Sequence, residues 1–205
     1  MTVDVLKRAS AEQRPGAFHV PAETRRTQAL LELDPVIDEL ERRAAGGLGA
    51  INHRRHLEIL GTLPANAPVP LADLDPKTAA GVASLPSGCV ELDGRYVTRL
   101  AVPPVQVVSA GVCASGWVGA LRQASQFASY CTRYAAVTSA GFDKERAVME
   151  ARFYGIGLAA MVDGPESFEW LVDPEPFRPT RQTTASWLFA EAALEAFSHS
   201  LDLAR

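Results

Sequence analysis

Cysteine is scarce in this chain: Cys89, Cys113 and Cys131 are the only three, and no two form a C-x-x-C pair. An odd, widely spaced set excludes a disulfide framework and gives no thiolate zinc cluster, so free thiols in a reducing compartment are expected. Histidine is nearly as rare, with 4 residues, and H-E-x-x-H is absent, so no metal site is predicted. No apolar run approaches the roughly 20 residues that a membrane-spanning helix requires. The opening stretch, MTVDVLKRASAEQRPGAFHV, holds no apolar signal core, and a cytoplasmic protein is expected. Positive charge is not in excess either. A net charge of −4 and a pI near 5.6 weigh against broad binding to nucleic acid or anionic membrane. G-x-x-x-x-G-K-[ST] and G-x-S-x-G are both missing, and no cofactor is expected.

What the chain does hold is a globular balance, 47% hydrophobic and 21% charged residues. Met1 to Pro21 is polar and broken by Pro15-Gly16 and Pro21, and reads as a mobile arm with Phe18 and Val20 pinned on the body. Helical pattern runs from Glu23 to Leu33 and restarts at Asp34-Pro35, where Asp caps and Pro fits the first turn. Val36, Ile37, Leu40 and Ala44 give one apolar face, ended by Gly46-Gly47. A second helix is predicted from Gly49 to Leu60, making an N-terminal helical hairpin with Arg42, Arg43, Arg54 and Arg55 on its surface. The stiff connector Pro64 to Pro70 marks an internal boundary, dividing residues 1–63 (arm and helical hairpin) from 64–205 (an α+β core).

Beyond a short helix at Asp75 to Ser84 the period changes. Asp93-Gly94 between two β-prone runs, Cys89 to Val102, signals a hairpin. Val105 to Val112 is a further strand, near the breaker Pro103-Pro104. From Ser115, the residues Trp117, Leu121, Ala124, Ala128, Cys131 and Ala135 form a narrow seam of helical spacing, although Tyr130 to Thr138 fits a strand equally well. Asp143 caps a helix reaching Tyr154, Ile156 to Val162 reads as a central strand, and Asp163-Gly164-Pro165 turns the chain into a further strand, Phe168 to Val172. A final helix spans Thr184 to Leu203, its Trp187, Ala190, Leu194, Phe197 and Leu201 inward and Glu191, Glu195 and Asp202 outward. The expected architecture is α+β: a mostly antiparallel sheet packed on long helices, with the N-terminal helical hairpin.

Three groups of residues carry chemistry. Cys131 and Cys113 are candidate nucleophiles for a small thiol-dependent enzyme, which would need a distant histidine as base. His53, Arg54, Arg55 and His56 form a polar cluster on the predicted hairpin, suited to an acidic partner or phosphate and, in a helix-turn-helix, to nucleic acid. The third group lies in Thr138 to Ala151, TSAGFDKERAVMEA. This segment resembles a glycine turn and helix of YcaO-type enzymes, ATP-dependent modifiers of peptide backbones. There a helix of form A-x-x-x-E-A-x-E-R uses its glutamates to hold magnesium and ATP. Only Glu150 carries over, for Arg152, Phe153 and Tyr154 stand where the next acidic residue belongs. The resemblance implies a reduced or non-catalytic relative, an auxiliary or pseudoenzyme subunit in peptide maturation. The combined expectation is a binding protein for a protein partner, a ligand or a second copy of itself, with no self-contained catalytic site and neither nucleic acid nor membrane as the main partner.

Overall fold

The computed structural model describes Leu6 and residues 18–24, 27–139, 141–162 and 167–202. In chain order its elements are β1 (Phe18–Thr24), β2 (Thr27–Pro35), α1 (Ile37–Gly46), α2 (Arg54–Thr62), β3 (Pro68–Pro70), α3 (Pro76–Val82), β4 (Val90–Asp93), β5 (Tyr96–Arg99), β6 (Val105–Ala114), α4 (Trp117–Ala124), β7 (Thr132–Val137), α5 (Lys144–Phe153), β8 (Gly157–Val162), β9 (Ser167–Val172) and α6 (Thr184–Asp202). They fall into two compact units, one of Met1–Asp34, Val107–Thr180 and Ala196–Arg205, the other of Pro35–Gln106 and Arg181–Glu195. Among the described residues, no helix is long and apolar enough to cross a membrane.

The first unit corrects the expected fold. Residues read as a helix from Glu23 to Leu33 instead form an antiparallel hairpin, running from Phe18↔Leu33 to Thr24↔Thr27. Ala, Leu and Glu are good helix formers, but β2 lies between β1 and β6 in the sheet. Its side chains are buried from Ala29 to Leu33 without alternation, and that burial outweighs local propensity. Most of the expected N-terminal arm lies outside the described residues. Within it, Val20 is buried in β1, and Phe18 is half exposed, its ring meeting Phe197 edge-on at 5.9 Å.

The sheet is mixed, in the order β1-β2-β6-β7-β8-β9: β1/β2 and β8/β9 pair antiparallel, with parallel pairs between them. β6, β7 and β8 run parallel, because each is joined to the next through a helix, α4 and then α5. The long seam predicted from Ser115 therefore breaks. α4 ends at Ala124, a 3-10 turn occupies Ser125–Phe127, and β7 takes Thr132–Val137, so the strand reading of Tyr130 to Thr138 holds for its central residues. Apart from α6, with 19 residues, no described helix exceeds 10, so the long helices are corrected too. Small residues still serve close packing: Ala120 and Ala124 of α4 and Ala147 and Ala151 of α5 are fully buried. A separate cluster of Leu6, Leu30, Tyr134 and Ala136 gathers Cys113, Phe168 and Trp170 around it. Tyr134 and Trp170 meet edge-on at 5.6 Å, worth about 0.5–1.5 kcal/mol beyond area burial. Gly111 is required here, since a Cβ at that position would overlap the Tyr134 ring. The turn predicted at Asp163-Gly164-Pro165 lies outside the described residues.

The second unit pairs a small antiparallel sheet, β3-β5-β4, with α1, α2 and α3. The predicted Asp93-Gly94 turn joins β4 to β5, which pair from Val90↔Arg99 to Asp93↔Tyr96. Asp75 caps α3, accepting from the backbone N–H of Lys77 and Thr78. Two helices do follow the N-terminal hairpin, but α2 begins at Arg54, five residues later than expected, and neither opens the fold. Gly47, with φ 65°, closes α1 in the left-handed conformation that favours glycine. Ile51, Leu57, Leu60, Cys89, Ala101 and Trp187 make the core.

Two residues assigned to the surface lie inside this unit. Arg43 is 2% exposed and Glu191 is 0%. The Arg43 guanidinium grips Glu191 with two bonds of 2.8 Å, and its Nε donates to Glu39 at 2.6 Å. Glu191 also accepts from the Ile51 backbone N–H and from Trp187 Nε1, at 2.9 and 2.8 Å. A buried charge survives only when paired and hydrogen-bonded, and this network meets both conditions.

Candidate functional site

Cys131 sits in the bend before β7 and is completely buried, and burial pushes its thiol up to about 12, against a small opposing pull from Arg133. Cys113, on β6, is half-buried against the Tyr134 cluster, and burial raises its thiol as well. Burial is the leading cause of both shifts, and no histidine contributes to either. Cys89, in the second unit, is pushed up to about 11, again chiefly by burial.

The His/Arg cluster maps to the start of α2. His53 is the cap residue, and its ring lies 4.7 Å from that of His56. Burial, then the charges of His53 and Arg55, hold His56 below its ordinary value. No group of three or more His, Cys, Asp or Glu that could hold a metal occurs among the described residues. Arg54 is well exposed, and its Nε is taken by Glu58 at 2.8 Å. The two helices of the expected helix-turn-helix are α1 and α2, with residues 47–53 between them and the His/Arg cluster at the start of the second. α3 carries a single cation, Lys77, and the unit holds more carboxylates than cations. Such a surface releases few counterions from a nucleic acid.

Glu150 lies on α5 in the first unit, together with the two candidate thiols and apart from the His/Arg cluster. Asp143 starts this helix by accepting from the Arg146 N–H at 3.1 Å. Ala147 and Ala151 turn into the protein, which sends the larger neighbours outward: Met149 is 64% exposed, Phe153 81% and Tyr154 52%. The pattern is the reverse of an ordinary amphipathic helix, with small residues inside and large apolar ones outside. Phe153 and Tyr154 meet edge-on at 5.0 Å. Glu150 Oε1 accepts from Arg146 Nε at 3.4 Å, and the Arg146 guanidinium lies 5.8 Å from the centre of the Trp117 ring. Lys144 faces Glu169 at 3.8 Å, while the exposed Arg152 side chain makes no hydrogen bond or ion pair. Glu150 therefore flanks an aromatic ridge and does not head a carboxylate cluster. The sequence signal for this ridge is Met149 and Phe153 at i and i+4, opposite Ala147 and Ala151.

Comparison with protein-family models, curated proteins and solved structures gives no match for this chain.

Proposed function

We propose that the protein works by binding a protein partner on the exposed ridge of α5, and that it has no catalytic site of its own. The observation that carries this reading is the outward Met149, Phe153 and Tyr154 beside the uncommitted Arg152. Large apolar side chains cost free energy in water, and aromatics, Met and Arg are the types enriched where protein surfaces meet. Such a partner offers an apolar groove for Phe153 and a carboxylate for Arg152. The raised thiols support the same reading, since protonated, buried sulfurs are poor nucleophiles. A role as auxiliary subunit in peptide maturation rests on the Thr138–Ala151 resemblance alone, as does a cytoplasmic location on the composition.

A photo-crosslinking amino acid at position 153, compared with one at the exposed Glu91, tests the proposal. A discrete adduct from position 153, lost in Met149→Glu, is expected. An adduct of twice the chain mass would identify a second copy as the partner. Equal labelling from positions 153 and 91, or an adduct indifferent to Met149→Glu, refutes the assignment.

A further inference from the structure

The second unit holds a cavity of about 380 Å³, bounded by α2, the end of β5 and the first turn of α6. Arg99 lines it, and the surroundings of this arginine are unusual. Its Nη1 donates to the Leu60 carbonyl at 2.9 Å, and its guanidinium lies 5.4 Å from the centre of the Trp187 ring. Its Nε is buried without an acceptor, and it has no carboxylate partner. Arg43 in the same unit shows the contrast, with its charge matched by Glu39 and Glu191. A guanidinium has five N–H donors in a planar fork, and Arg99 uses one of them. Burial pushes its pKa down, and no opposing carboxylate contributes.

The rest of the wall suits a negative ligand. Arg181 and Gln182 are exposed at the cavity and make no hydrogen bond or ion pair. α6 begins here with a reciprocal cap, the Ser186 N–H donating to Thr183 Oγ1 at 3.0 Å and the Thr183 N–H to Ser186 Oγ at 2.9 Å. The positive end of that helix adds to the field of the two arginines. The one carboxylate on the wall, Glu58, is paired with Arg54 at 2.8 Å.

We infer that this cavity is an oxyanion site, in which Arg99 takes the carboxylate or phosphate group of a small ligand and Arg181 closes on it from the rim. The volume lies at the lower end of the range for small-molecule sites, which fits a compact anion better than a large cofactor. A planar, two-oxygen acceptor matches the unused face of the guanidinium, as a point cation would not.

Titration of the full chain with inorganic phosphate and, separately, with succinate at constant ionic strength tests the site, read on the arginine Nε–H signals in ¹H–¹⁵N spectra. A saturable shift of the Arg99 signal is expected with one or both anions; a response to phosphate alone or succinate alone identifies the recognised group. Arg99→Lys keeps a cation but loses the fork, and is expected to weaken binding by roughly tenfold or more, with Arg181→Ala weakening it less. Gly61 faces open space at the cavity wall, so Gly61→Phe fills the site while keeping Arg99, and binding is expected to disappear. That variant decides the matter if Arg99→Lys fails to fold. No shift with either anion, or binding unchanged by Arg99→Lys or by Gly61→Phe, overturns the proposal.

Discussion

Replacing Arg43 by methionine should be among the most damaging single changes to the second unit. Arg43 donates to Glu39, Glu191 and the carbonyls of Val102 and Gly49. Methionine fills much of the volume but supplies none of these donors. Glu39 would keep Arg42, which donates from Nε at 2.8 Å and Nη2 at 2.9 Å. Glu191 would keep only the neutral Ile51 N–H and Trp187 Nε1, as a fully buried, uncompensated anion. Removing one partner of such a pair costs about 3–5 kcal/mol, and the loss should sit at the upper half because one cation serves two carboxylates. Arg42→Met, at a side chain 30% exposed, should cost clearly less. The assay is urea denaturation near pH 7, read as a lower midpoint at unchanged slope. The double variant Arg43→Met with Glu191→Leu removes the stranded charge and should recover a large part of the loss. A cost below about 1 kcal/mol for Arg43→Met, or a double variant as unstable as the sum of the singles, would refute this account. The network also sets a pH dependence. Burial pushes the Glu39 carboxyl up, but hydrogen bonds and charge from Arg42 and Arg43 outweigh it and hold the group below its ordinary value. Its contribution is therefore complete above the ordinary glutamate range and is lost as pH falls through the lower, folded value. Glu39→Gln should flatten acid unfolding in that window.

The remaining predictions are single measurements. At pH 7.5 a thiol reagent should label all three cysteines slowly in the native protein, Cys113 first as the least enclosed, and all of them quickly in urea; fast stoichiometric labelling of native Cys131 would restore the thiol-enzyme reading. Gly111→Ala should cost about 1–3 kcal/mol because Tyr134 has to move, and a neutral result would show that the ring packs elsewhere. Asp143→Ala should cost about 1 kcal/mol by uncapping α5, with a matching rise in amide exchange confined to its first turn.

Sequence spoke most clearly where a single residue has one physical use. Asp93-Gly94 predicted its hairpin, Asp143 and Asp75–Pro76 their helix starts, and Gly47 its helix end, and the structure has each of them. Ile156 to Val162 was legible as an inner strand because an uninterrupted apolar run has few other places to lie. Strand–helix–strand–helix–strand from Val105 to Val162 was legible too, and it implies parallel pairing, but reading Ser115 to Ala135 as one seam concealed it.

What only tertiary contact decided is of a different kind. Ala29 to Leu33 suits helix or strand by composition, and strand prevails because β1 and β6 flank it. Arg43 and Glu191 carry the same formal charges as any surface pair, and lie 148 positions apart, so nothing local announces that each is the other's counter-ion. Arg99 is the converse case, a cation that folding encloses without a carboxylate. Composition, turns and caps follow from each residue and its near neighbours. Burial of a charge depends on which distant segment comes to cover it, and that is a property of the folded chain alone.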